Sequence, residues 1–298
     1  MSFLKKIFGG GKKQDQPAVS KRKDEPDVYH VNGTEERMNF AMEKARLTLG
    51  YFKKSLLAPT PNQLYFSLKA RIGDGEKVEH IWLTGVSFDD SNIYYGKIGN
   101  EPIDVRTVKL GQEVGIAFED VSDWMIIENG RLIGGYTIRV LREGLTGAAL
   151  ENFDRSVGVL IDEGVDYFEH DFSTPEGAIL CLEDAYDAKD IDRAETCKDF
   201  EAEALMMLGK LDNLKHLTDN QDIVDQTAEV IRLSFRKHLH EGFPSFAGVT
   251  RTFPSREFVN KDLCIVTEVC RHPNNTKSLQ RHYVSRKNNV WRVMSLAE

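Results

Sequence analysis

From residue 34 onward the apolar positions change period several times, and those changes mark the expected elements. Between Thr34 and about Leu56, Met38, Ala41, Met42, Ala45, Leu49 and Phe52 recur at helical spacing and form one stripe. Strand patterning follows in Leu64 to Ile72, Val78 to Phe88, Asn92 to Ile98, Val114 to Phe118 and a hairpin from Trp124 to Arg139. Ile81, Trp82 and Leu83 put bulk on both faces of their strand, which predicts an interior position. A one-sided helix followed by several strands predicts an α+β domain whose helix covers an antiparallel sheet.

The hairpin is the best-determined stretch. Asn129-Gly130 supplies the two positive-φ residues of a two-residue type I′ turn. The register then pairs Glu128 with Arg131, Ile127 with Leu132, Ile126 with Ile133, Met125 with Gly134 and Trp124 with Gly135. An indole opposite a glycine can cover the bare backbone, so Trp124 is expected to pack rather than to bind a ligand. Glu79 and His80 are adjacent on a strand, point to opposite faces and cannot converge on one metal ion.

Residues 143–172 combine weak periodicity, several acids and Gly144, Gly147, Gly158 and Gly164, which predicts a junction between domains. Ser173-Thr174-Pro175-Glu176 then announces a helix, with Ser173 as the hydroxyl cap and Ile179, Leu182 and Tyr186 on its apolar face. Helical segments follow around Ile191 to Cys197, Phe200 to Leu208, and a longer one marked by Ile223, Thr227, Val230, Ile231 and Phe235. After Gly242 the period turns to strand, at Val249 to Phe253, Leu263 to Cys270, Leu279 to Ser285 and Val290 to Leu296. The expected domains are a basic leader over 1–33, an α+β domain over 34–142, an acidic junction over 143–172 and a helices-then-sheet domain over 173–298.

Charge sharpens this picture. Residues 1–23 carry seven Lys/Arg against one Asp, whereas residues 151–203 carry seventeen Asp/Glu against four Lys/Arg. The acidic stretch disfavours a nucleic-acid partner and suits a basic protein surface, with Glu163, Asp166 and Glu169 as the candidate partner interface. The leader interleaves Phe3, Leu4, Ile7 and Phe8 with Lys5 and Lys6, but its apolar area is too small for stable membrane association. No apolar run approaches the roughly 20 residues of a bilayer span, and no secretory h-region is present, so the expected location is cytoplasmic. Cys181, Cys197, Cys264 and Cys270 show no paired CxxC spacing and are expected to be buried free thiols.

Several of these residues carry a resemblance. The run Glu79-His80-Ile81-Trp82, the Gly96 to Pro102 segment, Asp123-Trp124-Met125 and Gly134-Gly135-Tyr136-Thr137 resemble the bacterial YegJ-like domain of unknown function, over about Ala41 to Arg142. That family implies a fold and no catalytic residue. Helices followed by a meander ending in Val290-Trp291-Arg292-Val293, with Ala185-Tyr186-x-Ala188-x-Asp190-x-Asp192, resemble the cone-shaped fold of nuclear-transport-factor-like and SnoaL-like proteins. This second likeness implies helices around a curved sheet and a fold able to enclose a pocket.

Within such a pocket Asp190, Asp192, His272 and His282 are the nominal chemical candidates, and capping or surface roles compete for each. His238-x-His240 with Cys270-x-His272 lacks the spacing of a zinc site. With no P-loop, GxGxxG or GxSxG either, no catalytic, cofactor or metal residues are assigned. Both resembled domains look like modules found beside Rhs-type polymorphic toxins. The resemblance therefore implies a non-enzymatic immunity protein that occludes the active site of a cognate toxin protein. The alternative is a cone-fold small-ligand binder or a pocket enzyme of isomerase or dehydratase type.

Overall fold

The computed structural model describes residues 33–89 and 91–297. The expected leader, apart from Gly33, lies outside the described residues, as does Asp90 of the expected Asp89-Asp90-Ser91 turn. The fold is α+β with two open antiparallel sheets, and the chain divides after Gly164 into two compact units. No helix among the described residues is long and apolar enough to cross a membrane.

The first unit opens with α1 (Gly33–Leu47) and α2 (Leu49–Leu57), where the apolar stripe predicts one helix. The break falls at Thr48, whose hydroxyl donates to the Lys44 carbonyl at 2.8 Å, a back-bond that bends helices. Six strands follow: β1 (Gln63–Asp74), β2 (Lys77–Phe88), β3 (Tyr94–Ile98), β4 (Glu113–Ile116), β5 (Val121–Glu128) and β6 (Arg131–Gly134), in the order β4-β3-β2-β1-β5-β6. Strand β2 is interior, and Ile81, Trp82 and Leu83 are all buried.

Four of the five expected hairpin pairs form, from Glu128 with Arg131 to Met125 with Gly134, around Asn129 at φ 49° and Gly130 at φ 73°. The expected strand beyond them does not. Tyr136 opens a helix, α3 (Tyr136–Glu143), because Gly134 (φ 68°) and Gly135 (φ 61°) turn the backbone out of the ladder. The helix start is then held by Asp123 on the neighbouring strand. Its Oδ1 accepts from the Trp124 (2.8 Å) and Tyr136 (3.1 Å) N–H groups, and its Oδ2 from the Thr137 N–H (2.8 Å) and hydroxyl (2.6 Å). Burial pushes the Asp123 carboxyl upward in pKa, against the pull of the Thr137 hydroxyl and Lys69.

The indole of Trp124 covers a glycine, but that glycine is Gly134: a Cβ there would lie 2.6 Å from the ring. Its Nε1 donates to the Ala45 carbonyl (3.0 Å) and the Thr48 hydroxyl (3.1 Å), tying the sheet to the α1–α2 break. The segment after α3 carries more structure than its weak periodicity predicts. Helix α4 (Gly147–Val157) places Val157 in a cluster with Trp82, Met125, Ile127, Leu132, Ile138 and Ile161, on the sheet face opposite Trp124. Leu160 then pairs with β6, bonding to Gly130 and Leu132 at 2.9 Å each.

The second unit contains α5 (Pro175–Asp187), α6 (Ile191–Thr196), α7 (Phe200–Lys210) and α8 (Gln221–Glu241). A meander follows: β7 (Thr250–Asn260), β8 (Leu263–Arg271), β9 (Lys277–Lys287) and β10 (Val290–Leu296), in the order β10-β9-β8-β7. The cap of α5 is Thr174 rather than Ser173: the Thr174 hydroxyl accepts from the Gly177 N–H at 3.0 Å, while Ser173 bonds to Asp171. Asp190 and Asp199 cap α6 and α7 in the same way, at 2.9 and 3.0 Å.

Asp123→Ala removes the acceptor for four donors, three of them backbone N–H groups, in a fully buried site. We expect a loss of about 2–4 kcal/mol in the stability of the first unit, since each stranded donor costs about 1–3 kcal/mol and some relax. Thermal unfolding followed by tryptophan fluorescence measures it, and a midpoint equal to that of the parent chain would refute the capping role.

Candidate functional site in the second unit

Helix α5 carries two glutamates on the face that meets the sheet. Glu176 and Glu183 are seven residues apart, two helical turns, and both are buried. Each meets an arginine of β7: Glu176 pairs with Arg256 at 3.3 Å, and Glu183 is in close ionic contact with Arg251. Five residues separate the arginines, which in a regular strand would put them on opposite faces. A shift of register between Thr252 and Ser255 adds one residue to β7, so that Arg251 stands opposite Cys270, Arg256 opposite Val266, and both face the helix.

Around Arg251 the charges form a connected cluster. Glu268 on β8 lies 3.5 Å from the Arg251 Nε and 3.2 Å from His282 Nε2 on β9, and Cys270 on β8 adjoins both carboxyls. Glu268 is fully buried and Glu183 nearly so. Burial, then repulsion from Glu268, pushes the Glu183 carboxyl up to about 9, and Arg251 offsets only part of this. Burial would also raise Glu268, but its bond to His282 holds it below the usual carboxylate range. Of the two carboxyls, Glu183 is the one that holds a proton more readily.

A carboxylate only accepts, so His282 donates to Glu268 through Nε2. His282 lines a cavity of about 340 Å³ bounded by α5, the end of α8, β9 and the end of β10. Its walls are mostly apolar, with Ile179, Leu182, Leu239 and Val293, and include the rings of Tyr186, Phe235 and Phe246. Tyr186 and Phe246 stack with ring centres 6.3 Å apart. The polar contributors are few: Glu183, His282, Gln280, Lys198, His238 and Ser295 beside the Tyr186 hydroxyl. Lys198 is in contact with the Met294 carbonyl and pairs with Glu203 at 3.2 Å, and burial lowers its pKa.

Glu183, Glu268 and Cys270 could geometrically hold a metal ion, their ligand atoms lying within 4.8 Å of one another. The chemistry does not fit one. The Arg251 guanidinium already supplies the cation to both carboxylates, and burial raises the Cys270 thiol, keeping it protonated. A larger, more open depression of about 490 Å³ contains Asp199, Glu201, Asp262, Arg286 and Lys287. Those groups serve one another: Asp199 caps α7, Arg286 pairs with Asp262 and Lys287 with Glu201.

Of the residues nominated from sequence, His282 belongs to the site and His238 lines the same cavity. His272 bonds to Ser278 at 3.0 Å, Asp190 caps α6 and Asp192 pairs with Arg236 at 3.0 Å. Glu163 lies in the first unit and is exposed; Asp166 and Glu169 lie in the second. Asp166 is built into the fold, its carboxylate accepting from the Phe253 N–H at 2.7 Å and its own N–H donating to the Arg251 carbonyl. Sequence reasoning missed Glu183, Glu268 and Arg251. The available signal was a pair of acids, Glu176 and Glu183, on the apolar stripe that contains Ile179.

Comparison with known proteins covers the first unit best. Residues 35–160 match the model of an uncharacterized protein family conserved in bacteria (DUF2314). An uncharacterized protein of Escherichia coli K12, YegJ, is 44% identical over 73 residues, 24% of this chain and 47% of that protein. The chain thus carries a YegJ-like domain of unknown function, and the match takes in α4 and Leu160 beyond the expected limit at residue 142. A protein of Neisseria meningitidis serogroup B, named as an ankyrin repeat protein, is 28% identical over 179 residues, 57% of this chain and 66% of that protein. The chain therefore spans less than two thirds of either relative. No solved structure matches.

Glu183 binds its proton more tightly in the folded chain than a free carboxyl does. Its contribution to stability is thus fully present below about pH 4.5 and is lost as pH rises through about 9. Glu183→Gln keeps a neutral donor and should flatten this loss, so its stability relative to the parent should rise steadily across that window. Urea unfolding at a series of pH values measures the difference; a difference independent of pH would mean that Glu183 is ionised throughout.

Proposed function

We propose that the second unit binds a small, mainly apolar ligand and that the chain acts by binding rather than by turnover, within the cytoplasm. The observation that carries this reading is the 340 Å³ cavity, apolar on most sides, with His282 held at its wall by the buried Glu268. A concave apolar site with a few fixed polar groups is the usual form of a small-molecule site. The order of helices and then a four-stranded meander supports reading this unit as a nuclear-transport-factor-like, SnoaL-like cone. In this reading the YegJ-like unit is a non-catalytic companion.

An apolar fluorescent probe, 1-N-phenylnaphthylamine, should bind the full chain at one saturable site. Leu296, 60% exposed where it lines the cavity, can be replaced without disturbing the core. Leu296→Trp should weaken the probe by about tenfold through steric narrowing, worth roughly 1–2 kcal/mol. Saturable binding that ignores this substitution would place the probe elsewhere and remove support for the cavity.

A second reading, an immunity protein that occludes a cognate toxin, draws on the exposed Glu163 and Glu169. Much of the surrounding acidity has internal duties: Asp154 pairs with Arg142, Asp162 with Arg131, Asp184 with His170 and Glu195 with Arg232. Exposed acids at the rim of an interface steer a basic partner more than they hold it. Reversing Glu163 and Glu169 together should then slow association with the product of an adjacent toxin gene and leave dissociation nearly unchanged. Association insensitive to both the reversal and added salt would count against this reading.

A further inference from the structure

One wall of the cavity is built unlike the others. Ile179 and Tyr186 stand on α5, Phe235 on α8 and Val293 on β10, but Pro244 and Phe246 belong to residues 242–249, which join α8 to β7 and form no helix or strand. Pro244, Ser245, Ala247 and Gly248 are exposed, and Phe246 is half-buried. Glycines bracket the segment at 242 and 248, Gly248 with φ 72°, and give it two points about which to turn.

Four contacts converge on Phe246. Its N–H donates at 2.7 Å to Oδ1 of Asp187, the last residue of α5, and its carbonyl accepts from the Val249 N–H at 3.0 Å. Its ring stacks with Tyr186, the ring centres 6.3 Å apart and the planes at 19°, and the Arg251 guanidinium carbon lies 5.3 Å from its centre. An acid in the last turn opposes the dipole of its own helix, so Asp187 does nothing for α5. Its bond to Phe246 accounts for it. Asp187 is exposed, and water can take the place of either partner, so this bond can break and re-form without stranding a buried group.

Resting on the ligand-binding reading above, we propose that residues 242–249 are a strap over the cavity with Phe246 as its gate, and that Asp187 latches the strap shut. A ligand enters and leaves when the Asp187 bond breaks and the Phe246 ring swings off Tyr186. Asp187 is a positioning residue in this scheme: it holds Phe246 and does not touch the ligand.

Stopped-flow fluorescence with 1-N-phenylnaphthylamine, on the full chain at neutral pH, reads entry and exit separately. Asp187→Ala frees the latch in the empty and the occupied protein alike, so association and dissociation should both quicken by about tenfold, the size of one hydrogen bond to a charged group, while Kd stays within about twofold. Asp187→Asn keeps an acceptor, and its rates should fall between those of the parent and of Asp187→Ala. Alanine suits a helix end at least as well as aspartate does, so the fold is kept. Unchanged rates, or faster dissociation with unaltered association, overturn the latch while leaving the cavity as a ligand site. Failure of 1-N-phenylnaphthylamine to bind the parent chain overturns both.

Discussion

A carboxyl group removed from water must be met by donors or by a counter-charge, and the second unit is arranged around meeting two of them. Glu176 and Glu183 lie on the buried face of α5, and Arg256 and Arg251 reach them from β7. Removing Arg256 would cost about 3–5 kcal/mol, because the Glu176 charge would be left buried alone. The extra residue in β7 between Thr252 and Ser255 is what puts both arginines on the helix side. The position of the helix and the register of the strand are thus tied together by the same two contacts.

The first unit meets the same constraint with dipoles in place of arginines. Asp123 is enclosed by the N–H groups at the start of α3 and by the Thr137 hydroxyl. A helix N-terminus presents unsatisfied donors and positive potential, so it suits a buried acid. Gly134 and Gly135 make this possible by turning the chain sharply enough to bring the helix start back over β5. The motif residues that carry the YegJ-like resemblance therefore include this joint, with Trp124 anchored on the other sheet face.

Local signals were the legible part. The Asn129-Gly130 turn fixed four hairpin pairs, and the bulk at Ile81-Trp82-Leu83 marked an interior strand, because turn chemistry and alternation act over a few residues. The α+β class followed from the order of periods. What failed depended on partners distant in sequence. Tyr136 to Arg139 reads as strand until Asp123 is seen to cap it, and α4 reads as linker until Trp82 and Met125 are seen beneath it. The site was hidden for the same reason: Arg251, Glu268 and His282 come from three different strands, and Glu183 from a helix more than sixty residues earlier than Arg251. His282 was among the candidates, but its orientation is set by Glu268 across the strand pair.

The central claim is that Glu268 holds His282 at the cavity wall through a proton on Nε2. Nitrogen-15 NMR of the histidine rings, with His282 assigned by comparison with the His282→Phe variant, reads this directly. The account predicts that His282 carries a proton on Nε2. A bare Nε2 would contradict it, since the Glu268 carboxylate would then receive no donor from the ring.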